Sequence, residues 1–337
     1  MSAGKKVLKG IGIFLLVVLI VVVFAGLSLF VLRGFANIKR VDYDGSNPSG
    51  NPYIAETTMI SAHRAGRKLA PENTLAAFSR CFALMEEQGY TIDTLEFDLQ
   101  MTKDGKLVLL HDDTLDRTSN CVDLEGWGKN SKVKDHSLSE LKTLEMWHDY
   151  DGKDFDPEEA RICTLEEVFD YVINEKGYTD MSFIIEIKDD GALGERAMDE
   201  LYRIMAERNV VQQVVVGTFN ANVTKYIDTN YATKGVIRSA SIMEVLAFYF
   251  SFCFNVDLSK KDIGYKVLQI PADQYVVFDL GKKPIIDYAH HYGIAVQYWT
   301  INEEDKIRTL MENGADMIIS DYPDRVNKVA QALAEGK

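Results

Sequence analysis

A chain of 337 residues can fold as one large domain or two small ones, and its 47% apolar and 26% charged residues, without repeats or low-complexity runs, exclude a disordered protein. Charge is unevenly spread: residues 1–40 hold six Lys/Arg and no acid, leaving 31 basic against 51 acidic residues, a formal −20, on the remainder. That surplus excludes a nucleic-acid partner and repels anionic substrates at long range, so a phosphate would need capture by local Arg, Lys or metal.

From Ile11 to Leu32 run 22 residues without a charge. At about 1.5 Å per residue they can cross a hydrocarbon core of about 30 Å. The run is longer than the apolar core of a cleavable signal peptide, about 7–15 residues, and lacks a clear A-x-A site, so an uncleaved single-pass membrane anchor is expected. Lys5, Lys6 and Lys9 precede it and Arg33, Lys39 and Arg40 follow it, so flanking charge does not choose an orientation. The short leading tail favours an extracytoplasmic folded domain. Residues 1–40 are therefore read as anchor, 41–55, rich in Asp, Asn, Gly, Ser and Pro, as linker, and 56–332 as the folded domain.

Within that domain short apolar runs alternate with helical patterns. MISAH precedes NTLAAFSRCFALMEEQ, SFIIEIK precedes GERAMDELYRIMAERN, QVVVGTF precedes ANVTKYIDTN, and GVIRS precedes SIMEVLAFYF. VLQIPAD, KKPIIDYAHHYG, AVQYWTI, EEDKIRTLMENGA and DMIISDYP continue the series. Repeated strand–helix units imply an α/β fold with a parallel sheet, and the length and strand count fit a closed (β/α)8 TIM-like barrel. Nine candidate strands compete for eight positions, with KVLQIPAD expected to be a short extension. QMTKDGKLVLL, between Asp98 and His111, is too short for a crossover helix, so the barrel should be irregular between its second and third strands, with a turn at Lys103–Lys106. Residues 112–161 lose the pattern and read as an insertion on the face where barrel enzymes build their sites.

The residues that could carry chemistry cluster early. Glu96 and Asp98 are i and i+2 on an extended run, so both carboxylates share a face, and His111 follows thirteen residues after Asp98. His63 and Arg64 end another short apolar run. Two histidines, paired carboxylates and an arginine suggest phosphate ester chemistry. Glu72 and Asn73, just before TLAAF, read either as a helix start with Asn73 as N-cap or as site contacts. His136, His148, His290 and His291 have no acids at metal-site spacing and read as surface or helix residues. Cys81, Cys121, Cys163 and Cys253 are scattered and read as free thiols, with Cys121–Cys163 the one pair worth testing.

Taken in order, HR with PENT (His63, Arg64, Pro71–Thr74), ExD with TKDG and HD (Glu96, Asp98, Thr102–Gly105, His111, Asp112), TLEEV (Thr164–Val168), IEIK (Ile185–Lys188), WTIN (Trp299–Asn302) and SDYPD (Ser320–Asp324) resemble the glycerophosphodiester phosphodiesterase family. Departures are mild: Cys163 stands where proline is common, and Thr218 where Ser is frequent. The resemblance implies that Glu96, Asp98 and Glu186 ligate one divalent cation. Their oxygen donors suit Mg2+ or Ca2+. It implies that His63 and His111 are the catalytic pair, whose ordinary pKa near 6.5 lets one accept and one donate a proton. Arg64 and Lys188 would neutralise phosphate oxygens, and Trp299 would wall a glycerol pocket or sit in the core. Asp321 is expected to order the last loop. The nucleophile is either water activated by the cation or the neighbouring glycerol hydroxyl, which would give a cyclic phosphate first.

The implied activity is metal-dependent hydrolysis of glycerophosphodiesters to glycerol 3-phosphate and an alcohol. Two alternatives stand beside it: a lysophospholipase D acting on lysophospholipids, and an inactive barrel used as a membrane-tethered binding module. Val245–Phe254, VLAFYFSFCF, is either a helix buried in the outer layer or a lip on the bilayer.

Overall fold

The structure, a computed structural model, describes residues 3–274 and 278–336. Helix α1 (Ala3–Phe35) contains Leu15–Phe35, 21 residues of mean hydropathy 3.3 whose most apolar stretch is not buried, long and apolar enough to cross a membrane. The domain begins with β1 (Met59–Ala62), α2 (Leu75–Gln88), β2 (Thr94–Met101) and β3 (Leu107–Leu109). After the short helices α3 (Leu138–Leu141) and α4 (Leu165–Phe169) come β4 (Ser182–Ile187), α5 (Gly191–Glu207), β5 (Val214–Gly217), α6 (Ala221–Asn230), β6 (Ile237–Arg238) and α7 (Ile242–Cys253). The chain ends with β7 (Val267–Ile270), the small pair β8 (Asp273–Gln274) and β9 (Phe278–Asp279), α8 (Lys283–His291), β10 (Ala295–Tyr298), α9 (Glu304–Glu312), β11 (Met317–Ser320) and α10 (Pro323–Ala334).

Parallel pairing runs β6-β5-β4-β2-β1-β11-β10-β7, and a parallel bridge between Ser239 and Val267 brings β6 to β7. The result is the eight-stranded barrel expected from the alternation. Two details differ from expectation. VLQI is a full barrel strand, paired along four residues with β10, whereas LVL is the surplus strand. β2 runs past the barrel rim, turns, and is met by β3 in antiparallel register, Leu99 with Leu109 and Met101 with Leu107. The turn is the expected one: Thr102 N–H donates to Lys106 O at 2.8 Å, and Gly105 takes a left-handed φ of +79°. No crossover helix is needed because the link is a hairpin.

Helix starts follow local chemistry. TLEE forms a capping box at α4, with Thr164 and Glu167 exchanging side-chain-to-backbone hydrogen bonds, and Ser241 and Glu244 do the same at α7. The barrel interior is apolar towards its base, with Val215, Val267, Ala295 and Met317 buried together. Two larger clusters lie between strands and helices. A separate small core of Val108, Leu110, Leu115, Cys121, Val133, Leu141, Leu144, Met146 and Ile162 folds the 112–161 segment over β3.

Part of the segment read as a linker is built into the fold. Asn51 is buried and donates to Lys266 O at 2.8 Å and Gly293 O at 2.9 Å, and Tyr53 packs on the interior cluster. His290 is likewise a buried helix residue: its Nε2 lies 2.7 Å from Asp316 Oδ2. Asp316, fully buried, also accepts from Ala55 N–H at 2.9 Å and Val296 N–H at 2.6 Å, so one carboxylate joins α8, β10 and the chain entering β1. Removing it leaves two buried groups, on His290 and Val296, and the half-buried Ala55 N–H without their partner. Asp316→Ala should lower unfolding free energy by about 3 kcal/mol in denaturant titration. A loss below about 1 kcal/mol would show that these bonds do not hold the base of the barrel together.

Candidate active site

Strand alternation places Glu96 and Asp98 on one face of β2, and the parallel register sets Asp98 beside Glu186 of β4. Glu96 is 7% and Asp98 1% exposed, so their charges need compensation. Lys188, just past β4, supplies it: its Nζ lies 3.0 Å from Asp98 Oδ1 and 2.9 Å from Glu186 Oε1. Asn73 adds an Nδ2–H donor to Asp98 Oδ2 at 3.0 Å. Burial raises the Glu96 and Glu186 carboxyls above the ordinary range, and the Asp98 charge adds to this. Burial opposes ionisation of Asp98 as well, but Lys188, His111 and Arg64 outweigh it and hold Asp98 below its usual value.

At the end of β1 the backbone turns sharply. Arg64, Ala65 and Asn73 take left-handed φ values of 49°, 59° and 56°, conformations that cost about 1–3 kcal/mol each for non-glycine residues and concentrate at functional sites. The turn aims the Arg64 N–H at Glu96 Oε2, 2.7 Å away. The Arg64 side chain donates from Nη1 to Glu72 Oε1 at 3.0 Å, while its buried Nε has no hydrogen-bond partner. Asn73 is not a helix cap: Thr74 is the N-cap residue of α2, without a side-chain cap bond. Glu72 and Asn73 are site contacts.

The hairpin answers how His111 reaches Glu96. Leu110 N–H donates to Asp98 O at 3.1 Å as the chain returns antiparallel to β2, so His111 comes back to the level of the ExD pair. Both histidines are held the same way. His63 Nδ1 lies 2.6 Å from Asp321 Oδ1, and Asn302 fixes the other Asp321 oxygen at 2.8 Å. His111 Nδ1 lies 2.8 Å from Asp112 Oδ1, and Arg117 grips Asp112 through Nε at 2.6 Å and Nη2 at 3.0 Å. With Nδ1 engaged, each ring has Nε2 left for chemistry. Asp321 thus does more than order the last loop.

The two rings differ electrically. Burial disfavours the charged form of His63, yet Glu96 and Asp321 outweigh it and raise its pKa. Burial lowers that of His111, and Lys188 reinforces burial against the pull of Asp98. Asp112 remains ionised far below the ordinary range, since Arg117 and His111 overcome its burial.

All eight residues expected from the sequence, His63, Arg64, Glu96, Asp98, His111, Glu186, Lys188 and Trp299, line one cavity of about 250 Å3. Trp299 stands at its wall, its ring edge-on to Phe219 with centroids 6.0 Å apart, rather than in the core. The supporting set of Asp112, Arg117, Asn302 and Asp321 was not expected to orient the pair; its signal lay in the acids of HDD and SDYPD. The four cysteines are free and buried, so Cys121 and Cys163 do not pair.

A family model for the glycerophosphoryl diester phosphodiesterase family matches residues 63–325, from the first histidine to just beyond the last loop of the site. The chain belongs to that family. A glycerophosphodiester phosphodiesterase of Caldanaerobacter subterraneus is 30% identical over 268 residues, covering 79% of this chain and 95% of that protein. A mouse (Mus musculus) protein named lysophospholipase D is 23% identical over 308 residues, covering 78% of this chain and 79% of its own. Among solved structures, an Oleispira antarctica phosphodiesterase in complex with the product sn-glycerol-3-phosphate shares the fold, with TM-score 0.57, 24% identity and coverage of 82% of this chain and 97% of that one. The enzyme is a glycerophosphodiester phosphodiesterase, a phosphoric diester hydrolase.

The family's need for a divalent cation can be set against these residues. Glu96, Asp98 and Glu186 offer only hard oxygen donors, and their crowded, buried charge would be relieved by a cation. Among the described residues no three His, Cys, Asp or Glu side chains already stand in a metal-binding array; Lys188 lies across two of the carboxylates instead. The donor set fits a hard cation provided that Lys188 swings aside. Lys188→Met should therefore bind Mg2+ or Ca2+ about tenfold more tightly by calorimetry, and weaker binding would show that the ammonium does not compete. In the metal-free protein, imidazole NMR titration should place His63 above and His111 below the ordinary value, and Glu96→Gln should bring His63 down. Equal midpoints for the two rings would contradict this electrostatic reading.

Proposed function

We propose that this enzyme hydrolyses glycerophosphodiesters to glycerol 3-phosphate and an alcohol, with His111 as general base and His63 as general acid. The observation that carries the assignment is the opposed pair: two imidazoles on one cavity, each tied at Nδ1 to a carboxylate, with surroundings that push their pKa values apart. Neutral His111 has a lone pair on Nε2 to take the nucleophile's proton. His63, still protonated, can pass its Nε2 proton to the leaving alkoxide. Each turnover breaks one P–O bond, makes another to the attacking oxygen, and adds the elements of water. The Oleispira relative, with bound sn-glycerol-3-phosphate, supports the product assignment.

The phosphodiester anion is drawn in by local groups, since the domain as a whole repels it. The buried Arg64 Nε lacks a partner and can donate to a phosphoryl oxygen, and Lys188, once free of its carboxylates, adds a point charge. A divalent cation, Mg2+ or Ca2+, held by Glu96, Asp98 and Glu186 would neutralise charge building on the phosphoryl oxygens. We assign α1 as a single-pass membrane anchor, supported by its length and hydropathy.

With glycerophosphocholine as substrate, His63→Ala and His111→Ala should each lower kcat by about 100- to 10,000-fold while circular dichroism stays native. Retention of activity in either variant would sink the paired-histidine mechanism. Because deprotonation of His63 and protonation of His111 are the two inactivating events, the rate should fall towards high pH through the first and towards low pH through the second. The His63→Gln variant should lose its alkaline limb, a change visible in the pH dependence of its residual kcat/KM.

A further inference from the structure

Helix α7 leaves an apolar stripe in solvent. Ile242, Leu246, Phe250 and Phe254 recur every four residues along α7 and the residue after it, 52%, 36%, 45% and 71% exposed, and Met243 beside them is 69% exposed. Exposed apolar stripes of this kind mark a binding surface. The opposite side of the helix is buried against α8 through Phe248 and Phe252, whose rings lie against Tyr288.

Two observations say what the stripe meets. First, the end of the candidate membrane helix is docked on α7. Tyr249 Oη donates to Leu32 O at 3.0 Å, Arg40 Nη2 donates to Cys253 O at 2.8 Å, and Ala36 is fully buried among the residues packed on Phe248 and Phe252. The charge-free run stops at Leu32, so α7 sits where the chain leaves the hydrocarbon, at the level of lipid head groups. Secondly, a groove of about 240 Å3 lies along α7, walled by Ile242, Leu246, Pro271 and Leu280, with no charged side chain among the described residues that line it. It meets the catalytic cavity at Phe219 and Trp299, which line both.

A charged cavity built for a phosphodiester therefore opens into an uncharged groove that ends beside the bilayer. We infer that the groove holds the acyl chain of a lysophospholipid whose glycerophosphodiester head occupies the catalytic cavity, the substrate entering from the lipid surface along α7. This deepens the proposed function and rests on it. The reaction balances as before: the P–O bond to the head-group alcohol breaks, water supplies the new P–O bond, its proton ends on the alcohol, and the product is an acylglycerol phosphate. Burial of each further methylene favours binding by about fourfold.

The test uses the full-length protein in detergent, with glycerophosphocholine and a series of lysophosphatidylcholines of increasing acyl length, below their aggregation concentrations, in Mg2+ or Ca2+. The expected result is a kcat/KM that climbs by about fourfold per methylene until the groove is filled and then levels. Leu246→Gln should lower the ratio of lysophosphatidylcholine to glycerophosphocholine kcat/KM by about tenfold, and Leu246→Met should retain it. A kcat/KM indifferent to chain length, or a Leu246→Gln variant that loses both substrates equally, would overturn the groove while leaving the phosphodiesterase reading intact. No turnover of either substrate by the unsubstituted protein would overturn both.

Discussion

Asp98 is a carboxylate only 1% exposed on a barrel strand, and much of the site can be understood as what it takes to keep that charge there. An ion so placed is costly unless it is paired and hydrogen-bonded. Lys188 arrives from the neighbouring strand, Asn73 from a left-handed turn before α2, and the Arg64 guanidinium lies alongside, with Nε 4.0 Å from Asp98 Oδ2. These groups come from two loops at the same rim, Arg64 and Asn73 from the one after β1 and Lys188 from the one after β4. Satisfying one charge has thus gathered the proposed phosphate donors, Arg64 and Lys188, on one cavity.

The hairpin of β2 and β3 solves a second problem. Barrel strands deliver side chains to the rim one loop at a time, and Glu96, Asp98 and His111 derive from a single β-loop excursion. By overshooting the barrel and folding back, the chain places its histidine opposite carboxylates it has just passed. The cost is a strand with one side unsupported by the barrel, and the 112–161 segment covers it with a small core of its own.

Much of this was legible from the sequence because the relevant signals are local. The i, i+2 spacing in LEFD fixes a shared face, TKDG fixes a turn, and TLEE fixes a helix start. The resemblance to a known family then joined His63 to His111 and Glu96 to Glu186 across the chain. What stayed hidden depends on contacts between distant loops. Nothing near Glu72 announces that Arg117, 45 residues later, will bind it in preference to a helix terminus. In KVLQIPAD the polar Gln269 interrupts the apolar run, and in the fold it faces Gln297 at 3.0 Å inside the barrel. A strand whose inner face is partly polar carries a weak pattern, and the true surplus, LVL, is the more apolar of the two.

One chain of bonds, from His111 through Asp112, Arg117 and Glu72 to Arg64, ties the insertion to the loop after β1. His111, the proposed general base, is tied into a subdomain with its own core, whereas His63, the proposed general acid, stands on the barrel proper. A barrel can therefore be fully closed and still inert until the insertion settles on its rim and these links form. Loss of the insertion's packing would thus remove the support of His111 while leaving the barrel's own clusters in place.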